Sequence, residues 1–121
     1  MINKMSNKDT GFFGENMATN YLLDQGFEII SRNWRYKHLE IDIIASKKGL
    51  LHIVEVKTRS AIEYGYPEDF IDHKKMQFLK NAAAFFQYEN PKWKYLQFDV
   101  VSIFLNDSKN WELLFIEDVY F

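Results

Sequence analysis

The chain contains no cysteine, which excludes a disulfide framework and any thiolate-bound metal centre. Prolines number two and glycines five, so collagenous, Pro-rich and Gly-rich linker compositions are excluded. No apolar run is long enough to span a bilayer, and the polar first ten residues carry no apolar segment of the signal-peptide kind. A cytoplasmic protein is expected, with no membrane partner. An excess of positive charge is also missing: the net charge is −2. A protein that coats duplex DNA indiscriminately is usually basic, because phosphate neutralisation dominates its affinity.

What is present is a 121-residue chain with 47% apolar and 17% aromatic residues, enough for one self-sufficient core. A single domain over residues 1–121 is expected, with 1–9 as a flexible tail. Residues 10–24 read as a helix capped by Asp9 or Thr10. Gly14, Ala18, Tyr21 and Leu22 share one face of it, and the two small residues predict close approach to a sheet. Gly26 supplies a left-handed stop. Residues 27–36, 39–45 and 50–59 alternate as strands, with a turn at Ser46-Lys47-Lys48-Gly49 between the second and third. On the second strand, Ile41 and Ile43 are expected on one face and Glu40, Asp42 and Ile44 on the other. After a loop over 61–68, with Gly65 and Pro67, residues 70–88 read as a helix whose apolar side holds Phe78, Ala82, Phe85 and Phe86. Strands follow at 95–105 and 111–119. The order α-β-β-β-α-β-β predicts an α/β fold: a mixed central sheet of four to five strands flanked by helices.

The chemistry concentrates on one triplet. An acid-x-Lys triplet is uninformative alone: with 17 acids and 12 lysines, chance supplies about two. The three present are Glu55-Val56-Lys57, Asp72-His73-Lys74 and Asp107-Ser108-Lys109. Only the first lies inside a strongly apolar strand, where an unpaired charge costs several kcal/mol. The two-residue period puts Glu55 and Lys57 on one face. With Ala45 opposite Leu50, Glu40 opposes Glu55, and Asp42 is its diagonal neighbour. A slip of two residues keeps that face and a slip of one destroys it. Crowded carboxylates suit a hard divalent cation, Mg2+ or Mn2+, held by Asp42, Glu55 and the Val56 carbonyl. Lys57 beside it would orient or deprotonate a water for attack on phosphorus. The competing reading is a plain ion-pair network of Glu40, Asp42 and Glu55 with Lys57 and Arg59.

A set of residues in fixed order resembles a known group: Gly11-Phe12-Phe13-Gly14-Glu15, Ala18, Gly26-Phe27, Arg32-Asn33-Trp34-Arg35, Glu40-Ile41-Asp42, Val54-Glu55-Val56-Lys57-Thr58-Arg59, Lys74 and Asp99-Val100-Val101. Asp42 with Glu55-Val56-Lys57 resembles the PD-(D/E)xK nuclease signature. The whole chain is similar to the small bacterial YraN-like family, which is related to archaeal Holliday-junction resolvases. It departs from that family's pattern at Leu39, where a glycine is usual, and at Met76 and Gln77, where arginines are usual. The resemblance implies a restriction-endonuclease-like fold and a metal-dependent nuclease acting on DNA rather than RNA, including branched DNA. It implies catalytic roles for Asp42, Glu55 and Lys57, with Glu15 as an extra acid and Lys74 at the scissile phosphate. Arg32, Arg35, Arg59, Lys74 and Lys75 are the expected nucleic-acid contacts, and a homodimer would suit action on two strands. Two alternatives stand beside this: a nucleic-acid-binding module without cleavage, and a protein-interaction domain with a structural ion-pair network.

His38, His52 and His73 show no metal-ligand spacing and read as surface or strand histidines, His52 on the face opposite Glu55. Trp34, Trp93 and Trp111 could stack on bases, but full or partial core is the commoner fate.

Overall fold

A computed structural model describes residues 7–60, 73–106 and 110–119. The loop with Gly65 and Pro67, the expected first turn of the second helix, and the acids Asp72 and Asp107 lie outside the described residues.

The element order is α1 (Asn7–Asp24), β1 (Glu28–Tyr36), β2 (Leu39–Lys47), β3 (Leu50–Ser60), α2 (His73–Glu89), β4 (Leu96–Leu105) and β5 (Trp111–Ile116). The five strands form one sheet in sequential order. β3 and β4 pair in parallel and the other neighbours antiparallel. A parallel pair needs a crossover, and α2 lies within the one joining β3 to β4. This is the mixed α/β arrangement and the element order that the hydrophobic periodicity predicts.

One helix covers each face. Ala18 and Leu22 of α1 pack with Ile43, Ala45, Val54, Val101 and Ile103. Leu79, Ala82, Ala83 and Phe86 of α2 pack with Ile41, Ile44, Leu51 and Ile53 on the other side. The small-residue stripe of α1 behaves as expected: a Cβ added to Gly14 would overlap Thr58 Oγ1 and lie 3.0 Å from Thr58 Cβ. The absence of a side chain at Gly14 thus sets the distance between α1 and β3. Gly26, at φ 90, ends α1. The Phe27 amide donates to Leu22 O at 2.9 Å and the Gly26 amide to Leu23 O at 3.0 Å, the paired bonds of a Schellman stop.

Several expectations need correction. α1 already runs at Asn7, so Asp9 and Thr10 lie within it, and residues 7–9 of the expected tail are helical; in a run of Asn, Asp and Thr several residues are able to cap, and composition does not choose among them. The buried face of α2 is Met76, Leu79, Ala82, Ala83 and Phe86, while Phe78 and Phe85 are each 39% exposed. That helix carries aromatics on more than one face, so apolar periodicity does not single out the inward one. The β2–β3 register is two residues away from Ala45–Leu50: Ala45 opposes His52 and Lys47 opposes Leu50. Lys48 and Gly49 both have positive φ, 53 and 79, the requirement of a two-residue type I′ turn. The slip is even, so Glu55 and Lys57 keep their face.

The alternation along β2 also fails at one point. Ile41 and Ile44 both join the core under α2, while Ile43 joins the core under α1. On the neighbouring strand, Trp34 and Tyr36 face α2, while Arg32 reaches Asn16 on α1. Both reversals fall at the same height, because Arg32 pairs with Ile43 and Trp34 with Ile41. The residues between them are Asn33, at φ 54, and Asp42.

Candidate metal centre

β2 and β3 stay paired as far as Ile43–Val54. Beyond it, the Val56 amide donates to Asp42 Oδ2 at 2.8 Å, so a side chain takes over where the backbone ladder ends. This opening between the strands is the floor of the site.

Glu55 is 6% exposed within a strand otherwise rich in aliphatic residues. Its Oε1 accepts from Lys75 Nζ at 2.5 Å and lies 3.2 Å from Lys57 Nζ. The carboxylate is therefore buried against two ammonium groups, one from its own strand and one from α2. Asp42 is half-buried. Burial, followed by the nearby Glu55 carboxylate, pushes its carboxyl up to about 7 against the opposing effect of the Val56 amide.

The third side of the site comes from α1. With Gly14 against Thr58, Glu15 is carried to Asp42. One carboxylate oxygen each from Glu15, Glu40 and Asp42 lie within 4.8 Å of one another. Burial raises the Glu15 carboxyl above its ordinary value, even with Arg32 beside it. Among the described residues, no donor lies within hydrogen-bond distance of the buried Glu15 Oε1, and Arg32 Nη2 lies 3.6 Å away. Three converging carboxylates, two of them reluctant to ionise, are the donor chemistry that a hard divalent cation satisfies. On donor type and spacing these residues fit such an ion.

The two lysines differ in state. Burial, and next the neighbouring Lys75, draw Lys57 below the ordinary lysine range. Burial also works against charge on Lys75, but Glu55 outweighs it and holds that ammonium above the ordinary range. Lys57 is the readier proton acceptor and Lys75 the fixed charge.

The expected site residues divide as follows. Asp42, Glu55, Lys57 and Glu15 come together, and Val56 is present through its amide. Glu40, outside the expected ligand set, joins Glu15 and Asp42; its spacing of two from Asp42 is a signal, but the reversal at Asp42 makes that spacing misleading. Lys75, expected at a nucleic-acid surface, points inward to Glu55, and Arg32 points to Glu15 and Asn16. Arg35 is exposed and bridges Glu40 at 3.2 Å. Lys74 is exposed with its ammonium 6.0 Å from the Phe78 ring centre, and Arg59 is half-buried on β3. His52 does face away from Glu55, toward α1, but is buried, with Nδ1 2.6 Å from Asp99 Oδ2. Among the described helices, none is long and apolar enough to cross a membrane.

Comparison with known proteins gives the lineage. A protein of Flavobacterium psychrophilum named UPF0102 protein is 36% identical over 113 residues, covering 93% of this chain and 94% of the relative. A UPF0102 protein of Caldicellulosiruptor bescii is 41% identical over 108 residues, covering 88% and 91%. One of Clostridioides difficile is 39% identical over 106 residues, covering 87% and 93%. The profile of the uncharacterised protein family UPF0102 matches residues 14–103, a span from Gly14 at the α1–β3 contact to Ile103 in β4, and the chain belongs to that family.

Proposed function

We propose that this chain is a metal-dependent nuclease that hydrolyses phosphodiester bonds in DNA, on a fold of the restriction-endonuclease and resolvase kind. The observation that carries the reading is the convergence of Asp42, buried Glu55 and Lys57 where β2 and β3 part, with Glu15 and Glu40 closing the site from the α1 side. Burying the Glu55 carboxylate in an apolar strand and half-burying two amines beside it is costly, and a phosphoryl-transfer site is a use that needs all of them. The resemblance of Asp42 and Glu55-Val56-Lys57 to a nuclease signature supports the same assignment.

In this reading Glu15, Glu40, Asp42 and Glu55 are the residues that would hold Mg2+ or Mn2+. When bound, the ion supplies charge neutralisation at the scissile phosphate and acidifies a water. Lys57, whose proton affinity is lowered by burial and by Lys75, would orient the attacking water and, in its neutral amine form, accept a proton from it. Lys75 keeps its charge throughout and offsets negative charge as it builds on the phosphate. Lys74 and Arg35, both exposed beside the site, meet the flanking backbone.

The test is nicking of linear, single-stranded and four-way-junction DNA with Mn2+ or Mg2+, beside Asp42→Ala and Lys57→Ala. Cleavage that needs the ion and disappears in both variants supports the assignment; equal cleavage in the variants rejects it. A second reading, a structural ion-pair network, is favoured by one observation: Glu15, Glu40 and Glu55 each already face a basic side chain. It predicts no rise in melting temperature with Mn2+, whereas a resident site predicts a rise.

A further inference from the structure

A cleft of about 500 Å³ opens between the β1–β2 hairpin and the outward face of α2. Residues 36–39 form one wall, and Phe78, Asn81 and Phe85 form the other. We infer that this cleft receives an unpaired base of the nucleic acid whose backbone passes the acidic site, which makes nucleic acid with single-stranded nucleotides the substrate class. The inference rests on the nuclease reading for its ligand and adds a binding site to it.

The walls are largely apolar, with Lys37, His38 and Asn81 as their polar members. The Tyr36 and Phe85 rings pack on each other, with centres 4.8 Å apart and a tilt of 35°, so a base cannot enter between them; the face on offer is that of Phe78, with the partly exposed edge of Phe85 beside it, although the same helix buries Phe86. Exposed aromatic faces of this kind stack on bases without regard to sequence. Asn81 Oδ1 accepts from Gln77 Nε2 at 3.2 Å, which leaves its amide nitrogen as a donor in the wall, suited to a base edge. The volume lies within the roughly 300–1,000 Å³ of small-ligand sites.

Charge selects the occupant. Among the described residues, no acidic side chain lines the cleft, while Lys37 and His38 do. The Lys37 ammonium lies 5.3 Å from the Tyr36 ring centre and that of Lys74 6.0 Å from the Phe78 ring centre. Cations bordering flat rings match a base with its phosphate. A second copy docked about a two-fold axis would set these same cations against themselves across an apolar contact, which is unfavourable. Position agrees with this choice: Leu39 lines the cleft and the next residue, Glu40, belongs to the acidic cluster. In a duplex the base faces are covered by their neighbours, so only an unstacked nucleotide can enter such a wall.

The experiment measures binding of fluorescently labelled oligothymidylate, and of a duplex of equal length, to the full chain in EDTA by anisotropy. The single strand is expected to bind more tightly, and Phe78→Ala combined with Asn81→Ala to weaken that binding by about 10-fold with little effect on the duplex. Trp111→Ala, an exposed aromatic on β5, should bind like wild type. Phe78→Leu keeps the volume and removes the ring, and serves if the alanine variant folds poorly. No preference for the single strand overturns the inference. So does equal loss in Trp111→Ala, or loss of self-association in place of DNA binding. Because EDTA removes cleavage from the measurement, the two readings fail separately. Stacking without Mn2+-dependent cleavage sinks the nuclease and keeps the cleft. Cleavage with unaltered binding in the Phe78 variants sinks the cleft and keeps the nuclease.

Discussion

Asp42 Oδ2 accepts the Val56 amide at 2.8 Å at the point where β2 and β3 cease to pair. One carboxylate therefore has two tasks: it satisfies a backbone donor that the diverging strand leaves behind, and it contributes charge to the acidic cluster. Asparagine keeps the first task and abolishes the second. The Asp42 carboxyl is raised in the folded protein from 3.8 to about 7, so between those values the folded state holds more protons than the unfolded chain. Stability from this group is then full below about pH 4 and is lost as pH rises through about 7. Asp42→Asn should raise stability by about 1–2 kcal/mol at pH 8 and hardly change it at pH 4. Urea denaturation at the two pH values checks this; an equal effect at both would contradict it.

The same raised carboxyl sets the pH dependence of ion binding. A cation entering the cluster displaces the Asp42 proton. Below about pH 7, Mn2+ affinity should fall by about tenfold per pH unit for one displaced proton, and it should level off above. Calorimetric titration from pH 5.5 to 8.5 reads both the affinity and the proton release. Affinity that is flat across that range would mean that Asp42 is not among the ligands.

Lys57 and Lys75 share Glu55 Oε1, yet their expected losses differ in kind. Lys57→Ala should remove about 10²–10⁴-fold of the cleavage rate while leaving Mn2+ binding in place. Lys75 stands where a competing cation would, so Lys75→Met should tighten Mn2+ binding. It should also destabilise the ion-free protein by about 1–3 kcal/mol, since Glu55 then keeps only one partner. Melting curves with and without Mn2+ distinguish the two variants, and identical behaviour would remove the division of roles.

Much of this was legible in residue order. Gly26 marks the end of α1, the Gly14/Ala18 stripe marks its contact with the sheet, and a charged pair inside Leu51-His52-Ile53-Val54-Glu55-Val56-Lys57 marks β3 as unusual. The β2–β3 register was not, because Ser46-Lys47-Lys48-Gly49 accommodates either a four-residue loop or a two-residue turn, and only backbone conformation at Lys48 decides. Nor does a two-residue period anticipate a strand that reverses its faces at Asn33 and Asp42. Glu40 reaches Glu15 through that reversal. The inward Lys75 depends on how α2 is rotated, and its scattered aromatics leave that rotation undetermined by pattern alone.

Gly14 offers a test of how α1 is seated. An added methyl meets Thr58 directly, so Gly14→Ala should cost about 1–3 kcal/mol despite alanine's better helix propensity. Trimming the obstacle should recover part of the loss: with Thr58→Ala the nearest remaining atom is the residue 58 Cβ, 3.0 Å from the new methyl. The double variant is therefore expected to be less destabilised than the sum of the single ones. Strict additivity in urea denaturation would show that the two positions do not touch.

Asp99 should matter to folding rather than to cleavage. It is 1% exposed and sits on β4, on the α1 side of the sheet with His52. Its Oδ2 faces His52 Nδ1 at 2.6 Å, and its Oδ1 accepts from Gln97 Nε2 at 2.8 Å and from the Asp118 amide at 3.0 Å. One carboxylate thus ties β3, β4 and the segment after β5 together. Asp99→Ala strands three donors at once and should cost about 3–5 kcal/mol. Asp99→Asn keeps an acceptor and should cost about 1–2 kcal/mol. His52→Ala in the Asp99→Ala background should add much less than it does in the wild type, because its buried partner is already gone. A double-mutant cycle in urea reads that coupling, and a coupling near zero would place His52 and Asp99 in separate roles.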